Sequence, residues 1–287
     1  MIFLKVGLAL GSGGARGLAH ISLLEKLHSM NVNAEIVVGS SIGSVIGALY
    51  CLYGLDGLMD RMMKVTYINQ DVIKKANEIM SKKHKIKDGV IEISKIVFAH
   101  SLLTGDVIYD SLKALFGAKR FSDCDRKFAT VAFDIDKGKS IVIDEGFILD
   151  AVVASSSVPG TFPPVRLGGM RLVDGGTTRV VPVREARELG ADFVIGVDVS
   201  PFSVDLSNML SIQYAVDDVK GRILADMDLK QADIAMKFNI PHVQWYEFNK
   251  AKNIYQLAKE ELEKLHFEDT LKDEMLKRIK SGAISQG

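Results

Sequence analysis

Ser41 is the residue whose neighbours best suit it to covalent chemistry. It is the centre of Gly39-Ser40-Ser41-Ile42-Gly43, a G-x-S-x-G pattern. The β-branched run Ile36-Val37-Val38 leads into it, and a helix-compatible run from Ile42 to Tyr53 leaves it. That strand–turn–helix context is what presents such a serine on a sharp turn. Gly39 and Gly43 leave space where a Cβ would clash. Ser41 itself falls at a helix N-terminus, where the dipole favours developing negative charge. Read without chemistry, the same letters are a glycine-softened turn with a serine cap.

Gly11-Ser12-Gly13-Gly14-Ala15-Arg16-Gly17 also follows a strand and opens a helix. Such a loop holds a dinucleotide pyrophosphate on the helix N-terminus, or it offers backbone N–H groups as an oxyanion hole. A clean G-x-G-x-x-G would need its third glycine at Arg16, and the lysine–serine ending of a P-loop is absent. With a serine elbow on the next strand, the oxyanion-hole reading is preferred. Arg16 then braces the loop by hydrogen bonding to carbonyls, or faces an anionic substrate group, or is a solvated helix-start arginine.

A serine nucleophile needs a base. Among the six histidines (His20, His28, His84, His100, His242 and His266), His242 is the best placed by order, following both Ser41 and Asp174 as in a Ser…Asp…His arrangement. Asp174 carries the stronger signal. Arg171-Leu172-Val173-Asp174-Gly175-Gly176 puts an acid at the end of an apolar strand, followed by two glycines that permit close backbone approach. Direct proton transfer from Ser41 requires the pair within roughly 2.6–3.2 Å. A free aspartate, with a pKa of about 3.9, is a weak base unless burial raises it. Without chemistry, Asp174-Gly175-Gly176 is an Asx turn.

The elements that must position these residues read as α/β. Strands are expected at Lys5 to Leu10, Glu35 to Gly39, Lys127 to Asp134, Lys139 to Asp144, Arg171 to Val173, Phe193 to Val199 and Val243 to Phe248. Helices are expected at Leu18 to Met30, Ile42 to Tyr53, Leu149 to Ser156, Val183 to Leu189, Asn253 to Leu265 and Leu271 to Ile279, with one long helix or two over Leu206 to Lys237. Near-continuous apolar strands predict a three-layer sandwich, with a mostly parallel central sheet covered by helices on both faces. The chain is expected to be one domain over 1–287, with a helical insertion or cap at 58–100 and C-terminal helices at 249–280. The uncharged stretch from Ile36 to Leu55 is long enough to span a bilayer, but its glycines and serines read as a buried strand turning into a buried helix. The N-terminus reads as a first strand and not a signal peptide.

Composition sets outer limits. The 287 residues are 47% hydrophobic and 25% charged, ordinary for a globular protein that builds its core without metals or disulfides. Lys plus Arg and Asp plus Glu are 36 each, so nothing points to nucleic acid as a partner. Cys51 and Cys124 form no disulfide framework and fit a reducing compartment. No metal-ligand spacing stands out, and no cofactor is expected. Lys74 to Lys87 holds six lysines against Glu78, which reads as contact with an anionic membrane or as the solvated face of an inserted helix.

Taken together and in order, the glycine loop, the Ser41 elbow, the Asp174-Gly175-Gly176 turn and the segment Ala154-Ser155-Ser156-Ser157-Val158-Pro159-Gly160 resemble the patatin-like phospholipases over about residues 5 to 200. The resemblance is to small bacterial stand-alone members, cytoplasmic or membrane-peripheral. It implies lipid acyl hydrolysis by a Ser41–Asp174 dyad without a catalytic histidine. The amides of Gly13, Gly14 and Ile42 would form the oxyanion hole, with Gly11, Arg16 and Gly17 supporting the loop and Gly175 and Gly176 shaping the acid turn. One departure is Arg179, in Thr177-Thr178-Arg179-Val180-Val181-Pro182, where many members carry asparagine before the proline. Two other readings stay open: an acyltransferase or thioesterase using His242, and a binding module without turnover.

Overall fold

The computed structural model describes residues 4–63, 105–159, 161–200, 209–241, 243, 245 and 247–281. The central sheet has strands β1 (Val6–Leu10), β2 (Ile36–Ser40), β3 (Lys127–Asp134), β4 (Lys139–Ile143), β5 (Val165–Leu167), β6 (Met170–Asp174), β7 (Phe193–Asp198) and β8 (Ile234–Lys237). Their order is β5-β6-β3-β2-β1-β7-β8, with β4 also paired to β3. Pairing is parallel from β3 through β2, β1 and β7 to β8, and antiparallel where β4, β5 and β6 join. The helices are α1 (Ala19–Ser29), α2 (Ile42–Tyr53), α3 (Gly105–Phe116), α4 (Ile148–Ser156), α5 (Val183–Glu188), α6 (Met209–Leu229), α7 (Ala251–Lys264) and α8 (Phe267–Lys280).

Alternation along the strands separates two cores. Val6, Leu8 and Leu10 of β1, Val37 of β2 and Phe193, Ile195 and Val197 of β7 pack into one layer with α1, α2, α4 and α7. Ala9, Val38, Ala129 and Val194 face the other way, against Val183 and Ala186 of α5 and Ala225 and Leu229 of α6. Successive strand side chains point to opposite faces, so a central strand covered on both sides must be apolar throughout. The result is the three-layer α/β sandwich expected. The uncharged stretch resolves into β2 and α2, and no helix among the described residues is long and apolar enough to cross a membrane.

The structure departs from expectation at four places. The long segment after residue 206 ends in a strand: α6 stops at Leu229, and Ile234–Lys237 pairs in parallel with β7. Four residues are too few for strand alternation to stand out against a helical neighbour. Of the strand expected over Val243 to Phe248, the described residues Val243, Trp245 and Glu247 lie outside any strand, and Phe248–Lys250 forms a 3-10 turn. The carbonyl of Trp245 instead accepts from Ala15 N–H on the glycine loop. Helix α3 and the short strand β5 are additions to the expected elements. Most of the 58–100 insertion, including Lys74 to Lys87, lies outside the described residues.

Leu8 is fully buried in the middle of the sheet, between β2 and β7. Truncating such a side chain removes transfer free energy and leaves a cavity. Leu8→Ala should lower the unfolding free energy by about 2–5 kcal/mol, read as a shifted urea midpoint at constant slope.

Candidate active site

The register of β3 brings the serine and the acid together. Ser40, the last residue of β2, is opposite Val131, and Asp174, the last residue of β6, is opposite Ala132. Strand β4 pairs with Thr130 to Asp134 and so occupies the other edge of β3. Thus β2 and β6 share one edge and run toward each other, and their C-terminal ends meet at adjacent β3 positions. Gly175 is required at that junction, because a Cβ there would stand 2.3 Å from the Val131 carbonyl oxygen.

Ser41 sits one residue past β2 with φ 52° and ψ −120°, a backbone region that side-chain-bearing residues seldom occupy. Strain of this kind costs about 1–3 kcal/mol and persists only where the surroundings enforce it. Three contacts enforce it. Ser41 N–H donates to Ser155 Oγ at 3.0 Å. The Ser41 carbonyl accepts from Ser44 Oγ at 2.6 Å and from Ser44 N–H at 2.8 Å. Gly43 lies so close to β1 that a Cβ would come 2.1 Å from the Leu10 carbonyl oxygen, which fixes where α2 starts.

Asp174 is held equally firmly. Its N–H donates to the Ser157 carbonyl at 3.0 Å, and its Oδ1 accepts from Gly176 N–H at 2.7 Å. The segment Ser155-Ser156-Ser157 therefore grips both partners, Ser41 through the Ser155 hydroxyl and Asp174 through the Ser157 carbonyl. Burial pushes the Asp174 carboxyl up to about 6, against the opposing pull of the Ser41 hydroxyl and the Gly176 N–H. Its Oδ2 is buried with no hydrogen-bond partner among the described residues, and the Ser41 hydroxyl lies close enough to the carboxyl to pull its pKa down. A carboxylate in this state is ionised at neutral pH yet more basic than a free one.

The glycine loop spans the remaining side. Gly11 N–H donates to the Val197 carbonyl and Ser12 N–H to the Val180 carbonyl, both at 2.9 Å, while Ala15 N–H is taken by Trp245. Gly13 and Gly14 N–H donate to no group among the described residues, and Ile42 N–H, in the first turn of α2, has no intrahelical acceptor. Gly14 has φ 59°, and a Cβ on it would lie 2.2 Å from the Trp245 carbonyl oxygen. Gly17 packs directly on Ile42, where a Cβ would come 2.4 Å from Cγ2. The loop thus touches the elbow at Gly17 and the acid turn at Gly176, which abuts Ser12 Oγ.

Arg16 is 4% exposed, not solvated, and its Nε donates to the Gly13 carbonyl at 3.3 Å. Burial lowers its pKa to about 10, against Asp218 and Asp198 nearby. His242 lies outside the described residues. A histidine that sequence patterning passed over does reach the site: His20, fully buried, places Nε2 at 2.9 Å from the Gly11 carbonyl. A carbonyl only accepts, so Nε2 carries the proton. Burial holds the ring's pKa down to about 4, which keeps it neutral. Its role at this position is to tether the loop. Its only sequence signal is its place nine residues after Gly11, on the first turn of α1. Ser155 and Ser157 stand in a recognisable segment of the sequence, but nothing local in it assigns them a role.

Two stability measurements follow. A carboxyl raised from its unfolded value near 4 to about 6 destabilises the fold above pH 6, progressively less from 6 to 4, and not at all below. Asp174→Asn, which keeps the acceptor for Gly176, should therefore unfold later than the parent at pH 7, by on the order of 2 kcal/mol, with the gain vanishing by pH 4. His20→Ala strands the Gly11 carbonyl and should cost about 1–3 kcal/mol in denaturant unfolding.

Known proteins match over the same region. Residues 8–187, well over half of the chain, match the family described as patatin-like phospholipase. A protein named lysophospholipase NTE1, from Debaryomyces hansenii, is 28% identical over 202 residues, 70% of this chain and 12% of its own length. Patatin-like phospholipase domain-containing protein 6 of Mus musculus is 32% identical over 205 residues, 70% of this chain and 14% of its own length. An uncharacterized NTE family protein of Mycobacterium tuberculosis is 27% identical over 196 residues, 68% of this chain and 49% of its own length. The chain thus spans between about an eighth and a half of these curated relatives. The crystal structure of VipD from Legionella pneumophila aligns over 91% of this chain and 67% of its own, with a TM-score of 0.43 and 13% identity. With a family match that runs from β1 through the elbow and the acid turn to α5, the chain belongs to the patatin-like phospholipase family.

Proposed function

We propose that the chain is a serine acyl hydrolase that cleaves carboxylic esters of lipids, of the phospholipase A, lysophospholipase or carboxylesterase type. The observation that carries this reading is the meeting of β2 and β6 on β3, which sets a strained serine against a buried, raised carboxylate. The names of the related lysophospholipases support it.

In this reading Asp174 Oδ2 takes the proton of Ser41 as Oγ attacks the ester carbonyl. The amides of Gly13, Gly14 and Ile42 stabilise the oxyanion, since they are donors with no competing partner among the described residues. The alcohol leaves with the proton from Asp174, and an acyl-Ser41 remains. A water then gives its proton to Asp174 while attacking the acyl carbon. Ser41 takes that proton back as the fatty acid departs, so the dyad is regenerated without a third titrating group. Arg16 and His20 keep the loop in place and do not enter the proton path. The lipid alcohol and chain length are set by the surroundings of the dyad and not by the dyad itself.

The test is hydrolysis of p-nitrophenyl esters from C2 to C16. Ser41→Ala and Asp174→Asn should each lower kcat by roughly a thousandfold or more, and His242→Ala should leave it near the parent value. Full activity in Ser41→Ala would end this reading, and loss in His242→Ala would favour the histidine-dependent one. Because Asp174 must be ionised, kcat/KM should fall as the pH drops through about 6.

A further inference from the structure

The segment that follows the acid turn, residues 178–181, is tied to each part of the site. Arg179 N–H donates to the Gly175 carbonyl at 2.9 Å, which closes the acid turn. The Arg179 carbonyl accepts from Ser40 Oγ at 2.7 Å, one residue before Ser41. The Val180 carbonyl accepts from Ser12 N–H at 2.9 Å, one residue before Gly13. Four residues therefore hold the elbow, the glycine loop and the acid turn in one register.

What holds this segment in turn is an ionic clamp. Arg179 Nε donates to Glu185 Oε1 of α5 at 2.8 Å, and Nη1 lies 3.6 Å from Asp228 Oδ1 of α6. The two carboxylate side chains are each only 7% exposed. Asp228 Oδ2 accepts from Val181 N–H at 3.1 Å, so the same acid grips the segment twice. Glu185 Oε2 is buried with no partner among the described residues, which leaves Arg179 as the cation that compensates it. Buried charges set against a backbone turn define one geometry, because moving the turn would leave two carboxylates unpaired.

We propose that Arg179, clamped between Glu185 and Asp228, is a positioning residue that sets the alignment of Ser41 with Asp174 and with the glycine-loop amides. This rests on the reading of Ser41 as the nucleophile. Arg179 acts through the backbone of its own segment and stays out of the proton path. Its effect falls on the rate of attack and not on substrate binding, since displacements of about 1 Å at reacting groups cost up to about a hundredfold.

The experiment compares the parent, Arg179→Lys, Arg179→Met and the triple variant Arg179→Met/Glu185→Gln/Asp228→Asn. The triple variant removes the clamp without leaving an unpaired buried charge, and its Asp228→Asn change keeps a side-chain acceptor for Val181 N–H. Each is measured for fluorophosphonate labelling rate at Ser41, kcat and KM on p-nitrophenyl butyrate, and melting temperature. The expected result is labelling and kcat slowed roughly ten- to a hundredfold in Arg179→Met and in the triple variant, with KM within about twofold of the parent. Arg179→Lys should fall between. The triple variant should melt close to the parent yet stay slow, which a purely stabilising clamp would not produce. Parent-like labelling in the triple variant overturns the proposal while the nucleophile stands. Parent protein that labels no faster than Ser41→Ala overturns the nucleophile reading, and the proposal with it.

Discussion

Strand β3 is the ruler on which the rest of this protein depends. One of its edges is shared by two strands arriving from opposite ends, a parallel one carrying Ser40 and an antiparallel one carrying Asp174, and they stop at Val131 and Ala132. Backbone ladders are spaced by covalent geometry, so this arrangement brings the serine turn and the acid turn to adjacent positions along β3. The switch from parallel to antiparallel pairing at one edge is thus the origin of the site. Had β6 run parallel, its C-terminal end would point along β3 with β2 and away from Ser41. The glycines at 43 and 175 follow from the same constraint, because both stand where neighbouring carbonyls leave no room for a Cβ.

The electrostatics of the site are governed by burial. Asp174 is raised, His20 is kept neutral and Arg16 is lowered, each with desolvation as the largest cause. Taking these groups from water costs free energy that the fold recovers through the two cores and through the backbone bonds that the groups secure. The three serve different ends. His20 and Arg16 hold carbonyls of the glycine loop, at Gly11 and Gly13. Asp174 keeps a carboxylate oxygen without a partner among the described residues, and its carboxyl feels the Ser41 hydroxyl. A buried carboxylate with one oxygen satisfied by Gly176 and one left open costs the fold stability, and that cost is the physical form of its basicity.

Legibility in the sequence tracked the range of the interaction. β3 and α2 appear with the limits read from the letters, and β1, β2, β7 and α4 within one residue at either end. The letters of β8 read as helix because Ile234–Lys237 is short and its alternation competes with a long helical neighbour. Val243 to Phe248 carries strand-like letters, yet Trp245 spends its carbonyl on Ala15 of the glycine loop and not on a sheet partner. Ser155 acts on Ser41 across 114 residues and Ser40 on Arg179 across 139, and no local period encodes such pairs.

The letters by themselves determined which residue types were available for chemistry and on which kind of turn each would stand, because strand-to-helix transitions and glycine requirements are local properties of the backbone. They determined the alternation that divides the core into two layers. Only the tertiary structure decided that Asp174 lies beside Ser41, that His20 is a tether and Arg16 a brace, and that the backbone of residues 179 and 180 joins three segments while the Arg179 side chain meets Glu185 and Asp228. Those facts depend on strand register and on burial, which exist only once distant parts of the chain have packed together.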